Sequence, residues 1–209
     1  MNGKDKSSVL TAKKVFDTLI MKRIAIFASG EGTNAQQIID YFRGKDIRIS
    51  LIVCNNPKAN VLNRAEQNKI PLLLINKEEF QNGDTLQKKL EEEKIDWIVC
   101  AGFLWKIPDS ILYNFPNRIV NIHPALLPKF GGKGMYGLNV HKAVIEAGEK
   151  ESGITIHFLN EHYDEGEIIL QKKIIVERNE TPESLSKKIH QLEHEWYPKT
   201  IEQLLKNIS

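Results

Sequence analysis

Five short apolar runs, at residues 23–28, 47–54, 71–75, 97–101 and 118–122, alternate with segments whose apolar residues recur at helical spacing. No other feature of the chain restricts its fold so strongly. Strands alternating with helices build βαβ units, whose strands run parallel and whose crossovers are right-handed. Helices then cover both faces of the sheet, so the strands read as near-continuous apolar stretches. The expectation is an α/β protein with a doubly wound, mostly parallel sheet and helices on both faces. Ligands of such sheets bind beyond the carboxyl ends of the strands.

The intervening helices are expected over 35–42, 58–68, 84–94 and 108–113. After Pro128 the pattern changes. Residues 130–137 are glycine-rich and too long for a simple turn, so they read as a functional loop or lid. A helix is expected over 139–147, and strands over 152–158 and 168–176. Thr181-Pro182-Glu183 opens a last helix, with a cap, a proline at the first position and then an acid. Pro198 is expected to kink or restart that helix.

Composition matters here mainly for what it excludes. With 209 residues, 41% of them hydrophobic, one domain with a sizeable core is the default. Twenty-nine basic against 27 acidic residues leave a net charge of +2, so charge implies no nucleic-acid partner. No apolar run approaches the ~20 residues of a membrane span. Cys54 and Cys100 lie inside apolar runs and read as buried thiols of a reducing, cytoplasmic setting. Residues 1–20 lack the apolar region of a signal peptide and the arginines of a transit peptide. They are read as an N-terminal extension, disordered or weakly helical, ahead of a folded domain at 21–209.

The chemistry concentrates at Asn121-Ile122-His123-Pro124. Asn121 and His123 are two apart on a strand, so they point the same way. Pro124 stops the strand, having no N–H for the ladder. An amide that can donate to a developing oxyanion thus stands beside an imidazole that can move a proton near neutral pH. A polar strand end with a surface histidine is the plainer alternative.

Three further stretches carry competing readings. Gly30-Glu31-Gly32-Thr33-Asn34-Ala35 follows the first strand and fits the dinucleotide fingerprint G-x-G-x-x-A. A dinucleotide site also wants an acid at the end of the second strand. That position reads Cys54-Asn55-Asn56, so the turn suits a plain phosphate held at a helix N-terminus. His190-Gln191-Leu192-Glu193-His194 matches an inverted zinc-peptidase signature. Zinc needs a third protein ligand and an open position, so a helix facing solvent or substrate is preferred. Asp164 lies in the loop after the 152–158 strand, where a carboxylate would orient His123 and raise its pKa. Glu165 competes for that role. His157 reads as a satisfied core histidine or a supporting partner.

Taken together, the 29–34 turn, Ala101-Gly102-Phe103-Leu104, Asn121-Ile122-His123-Pro124, and the run from Gly153 to Phe158 followed by Asp164-Glu165-Gly166 resemble the phosphoribosylglycinamide formyltransferase family. The resemblance covers Lys22 to about Leu205. It implies a formyltransferase-type fold and a catalytic domain at 21–209. It implies formyl transfer from 10-formyltetrahydrofolate, as cosubstrate, to the amine of glycinamide ribonucleotide, with no metal. By the same resemblance His123 manages proton transfer, Asn121 donates to the oxyanion and Asp164 supports the charged imidazole. Gly32, Thr33 and Asn34 would hold the nucleotide phosphate, and Glu193 its ribose. Leu104, Trp105, Lys106 and Ile107 would line the folate pocket, together with Asn121. The partners implied are small molecules only, with a monomer or homodimer, no nucleic acid and no membrane. Related cores formylate initiator tRNA or hydrolyse formyltetrahydrofolate, each with an extra domain not expected in this chain. Transfer to another amine, such as a sugar nucleotide, stays open. An arginine that some members carry in the stretch matching 80–86 is missing here, and Lys77 or Lys88 could substitute.

Overall fold

The structure is a computed structural model and describes residues 21–207. The extension expected at 1–20 lies outside the described residues. Seven strands form one sheet: β1 (Lys22–Ala28), β2 (Ile47–Cys54), β3 (Leu72–Leu74), β4 (Trp97–Cys100), β5 (Ile119–His123), β6 (Glu151–Phe158) and β7 (Ile168–Ile175). Their spatial order is β3-β2-β1-β4-β5-β6-β7. The first five run parallel, while β6 and β7 pair antiparallel, β6 against β5 and β7 against β6. The chain steps outward from β1 in one direction, then returns to β4 and steps outward in the other. That reversal opens a crevice beyond the carboxyl ends of β1 and β4, the usual ligand position in such sheets.

The helices are α1 (Thr33–Phe42), α2 (Val61–Gln67), α3 (Lys77–Asn82), α4 (Asp84–Glu92), α5 (Asp109–Asn114), α6 (Leu138–Glu146) and α7 (Pro182–Asn207). They cover both faces, as expected. On one face Ile38, Phe42, Ile189, Tyr197 and Ile201 pack with Ile24, Ile26 and Val120. On the other Phe80, Leu86, Leu90 and Ile111 pack with Ala25, Phe27 and Ile98. Residues 24–28 of β1, 51–54 of β2 and all of β4 are sealed between these two layers, which explains their continuous apolar sequences.

Three local expectations differ from the structure. A helix over 77–82 has no counterpart in the sequence reading. Its N-terminus is a capping box, in which Asn76 Oδ1 accepts from Glu79 N at 3.0 Å and Glu79 accepts from Asn76 N at 3.3 Å. Helix α2 begins at Val61 rather than at 58, because Asn56 Oδ1 accepts from Lys58 N at 3.0 Å and holds a turn there. Pro198 does not restart α7, which runs on as one element. Tyr197, Pro198, Thr200 and Ile201 are all buried there, so packing offsets the lost main-chain bond.

Helix α7 is tied to the crevice by Tyr197. Its one hydroxyl hydrogen is shared between Cys100 O at 2.8 Å, at the carboxyl end of β4, and Val120 O at 3.1 Å, on the neighbouring β5. Burial pushes the phenol well above its ordinary pKa, so it stays a donor.

Candidate active site

A cleft of about 670 Å³ occupies the crevice, a volume typical of small-molecule sites. It gathers the 29–34 turn, residues 100–107 after β4, the end of β5, the glycine-rich loop and the 159–164 loop. Ser29 stitches two of these together: its N–H reaches Gly102 O at 3.1 Å, and its hydroxyl accepts from Leu104 N at 3.0 Å.

Asn121, His123 and Asp164 converge on this cleft. Strand β5 delivers the first two on one face, as their spacing requires. Asn121 Nδ2 lies 3.1 Å from His157 Nε2, while His157 Nδ1 lies 2.9 Å from Phe158 O. A carbonyl only accepts, so His157 carries its proton on Nδ1 and its Nε2 accepts from the amide. Burial lowers the His157 pKa and keeps the ring in that neutral form. The Asn121 amide is thereby fixed with its N–H₂ toward His157, leaving its second N–H uncommitted.

The same reasoning fixes His123. Its Nε2 lies 2.8 Å from Phe130 O, so Nε2 bears the proton and Nδ1 the lone pair. Nδ1 faces Asp164 Oδ2 at 3.6 Å, and Asp164 Oδ1 faces His157 Nε2 at the same distance. Asp164 sits at φ 58 and accepts from Gly132 N at 2.8 Å. The approach is close: a Cβ on Gly131 would stand 3.2 Å from Asp164 Cβ and 2.6 Å from Leu127 Cδ2. Asp164 was expected to raise the His123 pKa. It pulls in that direction, but burial outweighs it and the net pKa is lowered. His123 is 3% exposed, which explains why desolvation wins. Glu165, the competing carboxylate, is exposed and does not line the cleft.

The 30–34 turn leads into α1 with no side chain capping the helix. Gly32 sits at φ 68, and a Cβ there would stand 2.7 Å from Val61 Cγ2. The main-chain N–H groups of Thr33 and Asn34 open the helix, where no carbonyl one turn back exists to receive them. The Asn34 side chain is otherwise engaged, donating to Glu193 Oε2 at 2.9 Å, and its Oδ1 is buried without a partner among the described residues. Burial raises the Glu193 pKa, against the pull of Asn34 and His190. The structure thus joins Asn34 and Glu193, which the sequence places 159 residues apart.

Residues 104–107 all line the cleft, in different settings. Leu104 is 47% exposed, whereas Ile107 belongs to the core. Trp105 packs into an aromatic cluster, 5.3 Å from Phe80 between ring centroids. Lys106 pairs with Asp109 at 3.3 Å. Neither Lys77 nor Lys88 lines the cleft, whose lysines are Lys106 and Lys133. Three contributors escaped the sequence reading: the Phe130 carbonyl, Lys133 and His141. The H-x-x-E-H run is engaged otherwise than in a zinc site, with Glu193 turned to Asn34 and the rings of His190 and His194 stacked 6.2 Å apart. Among the described residues no three His, Cys, Asp or Glu side chains group as metal ligands, and no helix is long and apolar enough to cross a membrane.

Known proteins resemble this chain in sequence and fold. Residues 22–201 match the family model described as formyl transferase. The phosphoribosylglycinamide formyltransferase of Bacillus subtilis is 37% identical over 191 residues, covering 88% of this chain and 95% of that protein. The chloroplastic phosphoribosylglycinamide formyltransferase of Arabidopsis thaliana is 40% identical over 187 residues, or 86% of this chain. The chain spans 64% of that plant protein's length. The crystal structure of phosphoribosylglycinamide formyltransferase from Bacillus halodurans superposes with a TM-score of 0.81 at 35% identity, covering 90% of this chain and 97% of that one. With the family model matched over residues 22–201 and both a sequence relative and a solved structure agreeing over most of the chain, the chain belongs to the formyl transferase family.

Proposed function

We propose that this chain transfers the formyl group of 10-formyltetrahydrofolate to the primary amine of glycinamide ribonucleotide, as a phosphoribosylglycinamide formyltransferase of purine biosynthesis. The products are formylglycinamide ribonucleotide and tetrahydrofolate. The observation that carries this reading is the convergence of Asn121, His123 and Asp164 on one cleft, with a vacant lone pair on His123 Nδ1.

The amine nitrogen attacks the formyl carbon, and the bond from that carbon to the folate nitrogen breaks. A proton leaves the amine for His123 Nδ1 and passes from there to the departing folate nitrogen. Imidazolium forms beside Asp164, whose charge stabilises it. The uncommitted N–H of Asn121 donates to the oxyanion of the tetrahedral intermediate. The free N–H groups of Thr33 and Asn34, with the Thr33 hydroxyl, receive the nucleotide phosphate, and Gly32 lets the backbone approach it. Glu193 meets the ribose. The folate lies along residues 104–107, reaching Asn121. A reducing compartment such as the cytoplasm suits the two buried free thiols, Cys54 and Cys100.

A spectrophotometric assay with a 10-formyl folate analogue, with and without glycinamide ribonucleotide, tests this. Absorbance should change only when the nucleotide is present. A change without any acceptor would instead indicate a hydrolase, and a change only with a sugar-nucleotide amine would indicate another acceptor.

A further inference from the structure

His141 lies on α6, the helix that follows the glycine-rich loop, and is 1% exposed. It nevertheless lines the cleft. Its Nδ1 is buried and has no hydrogen-bond partner among the described residues. Natural proteins keep few such atoms, because an unpaired buried polar group is costly. Among the described residues nothing supplies that partner, and a group bound in the cleft is placed to do so.

Its neighbours say where along the cleft it stands. Protonation of His141 is opposed first by burial, then by the nearby His190 and His123, which together push its pKa down to about 4. The ring is uncharged at neutral pH, with one N–H and one lone pair. His123 belongs to the reacting centre. His190 precedes Glu193 by one turn of α7, at the end of the cleft where Glu193 meets Asn34. His141 is therefore within electrostatic reach of both His123 and His190.

The acceptor proposed above has an amide between its ribose and its reacting amine. A neutral imidazole suits that group, since its N–H can donate to a carbonyl or its lone pair can accept from an amide N–H. It suits a phosphate or carboxylate less well, since those pair best with cations. We infer that His141 contacts the amide linking the ribose of the acceptor to its amine, and so sets acceptor specificity. This inference rests on the proposed function and extends it to a residue with no assigned role.

The test compares kcat/KM for glycinamide ribonucleotide with that for an analogue whose amide carbonyl is a methylene. The wild-type protein should prefer the amide by about 10–100-fold. In His141→Leu the preference should fall toward unity, while KM for the folate stays within about twofold. His141→Phe preserves the ring's bulk and gives the same reading if His141→Leu fails to fold. His141→Gln, which keeps a donor and an acceptor, should recover part of the preference. If a folded variant loses activity on both acceptors equally and keeps the wild-type preference, the contact is excluded. Absence of wild-type turnover on glycinamide ribonucleotide would instead overturn the proposed function itself.

Discussion

His123 Nδ1 and Asp164 Oδ2 stand 3.6 Å apart, too far for a hydrogen bond but close enough for charge to be felt. The neutral ring therefore gains little from Asp164, whereas the imidazolium gains a good deal. Burial keeps the resting ring neutral, while Asp164 lessens the cost of charging it, a balance suited to the proton-carrier role proposed for His123.

Asp164→Asn should lower kcat by roughly 10²–10⁴-fold while changing substrate KM values little. The His123 pKa already lies below 6.5, and Asp164 is the main group opposing that shift. Removing its charge should move the acidic limb of kcat/KM further down in pH. A pH–rate profile of the variant checks both effects, and an unmoved limb would dissociate the two residues.

Asn121→Ala should cost about 10²–10³-fold in kcat, the usual effect of losing an oxyanion donor. His157→Phe leaves the amide in place but removes the acceptor 3.1 Å from its Nδ2. Its loss should be smaller, about tenfold by the strength of one buried hydrogen bond. In the double variant His157→Phe should add almost nothing to Asn121→Ala, because it acts through that amide. Additive losses would place His157 in an independent role.

Gly32→Ala should destabilise the fold by about 1–3 kcal/mol, since alanine is strained at φ 68 and its Cβ meets Val61. KM for the nucleotide should rise more than KM for the folate, as the 30–34 turn distorts. Urea unfolding and steady-state kinetics on the same preparation separate the two consequences.

Stability should fall on mild acidification. His123, His141 and His157 all have folded pKa values below 6.5, so the unfolded chain binds more protons than the folded one under acid. By linkage, stability then rises with pH and is lost as pH drops below the unfolded value. His141 alone, held at about 4, corresponds to on the order of 3 kcal/mol across that window. Thermal midpoints measured at pH 7.5 and at pH 5 should show the drop, and a flat response would mean that these rings are not buried in solution.

Much of this was legible in the sequence, for identifiable reasons. The sealed strands β1, β2 and β4 announce themselves because burial on two faces leaves few polar positions. Asn121 and His123 were readable because strand periodicity is local. The choice between Asp164 and Glu165 was not, because it depends on φ 58 at Asp164 and on contacts with Gly131 and Gly132, over thirty residues away in sequence. Helix α3 could have been found from Asn76 and Glu79, whose spacing is that of a capping box. His141 gave no signal, since a histidine on an amphipathic helix looks the same whether or not its ring faces a substrate. The Phe130 carbonyl could give none, because every residue has one.

That carbonyl bears on how such a cleft could diversify. The hydrogen bond that sets which nitrogen of His123 carries the proton comes from main chain, and so does the Gly132 N–H that holds Asp164. Side chains farther along the loop, Lys133 among them, can then be exchanged without touching the main-chain groups that hold His123 and Asp164. A library randomised at Lys133, Met135 and Tyr136, with Gly134 kept at its φ of 90, should therefore change the cleft lining while the His123–Asp164 geometry persists.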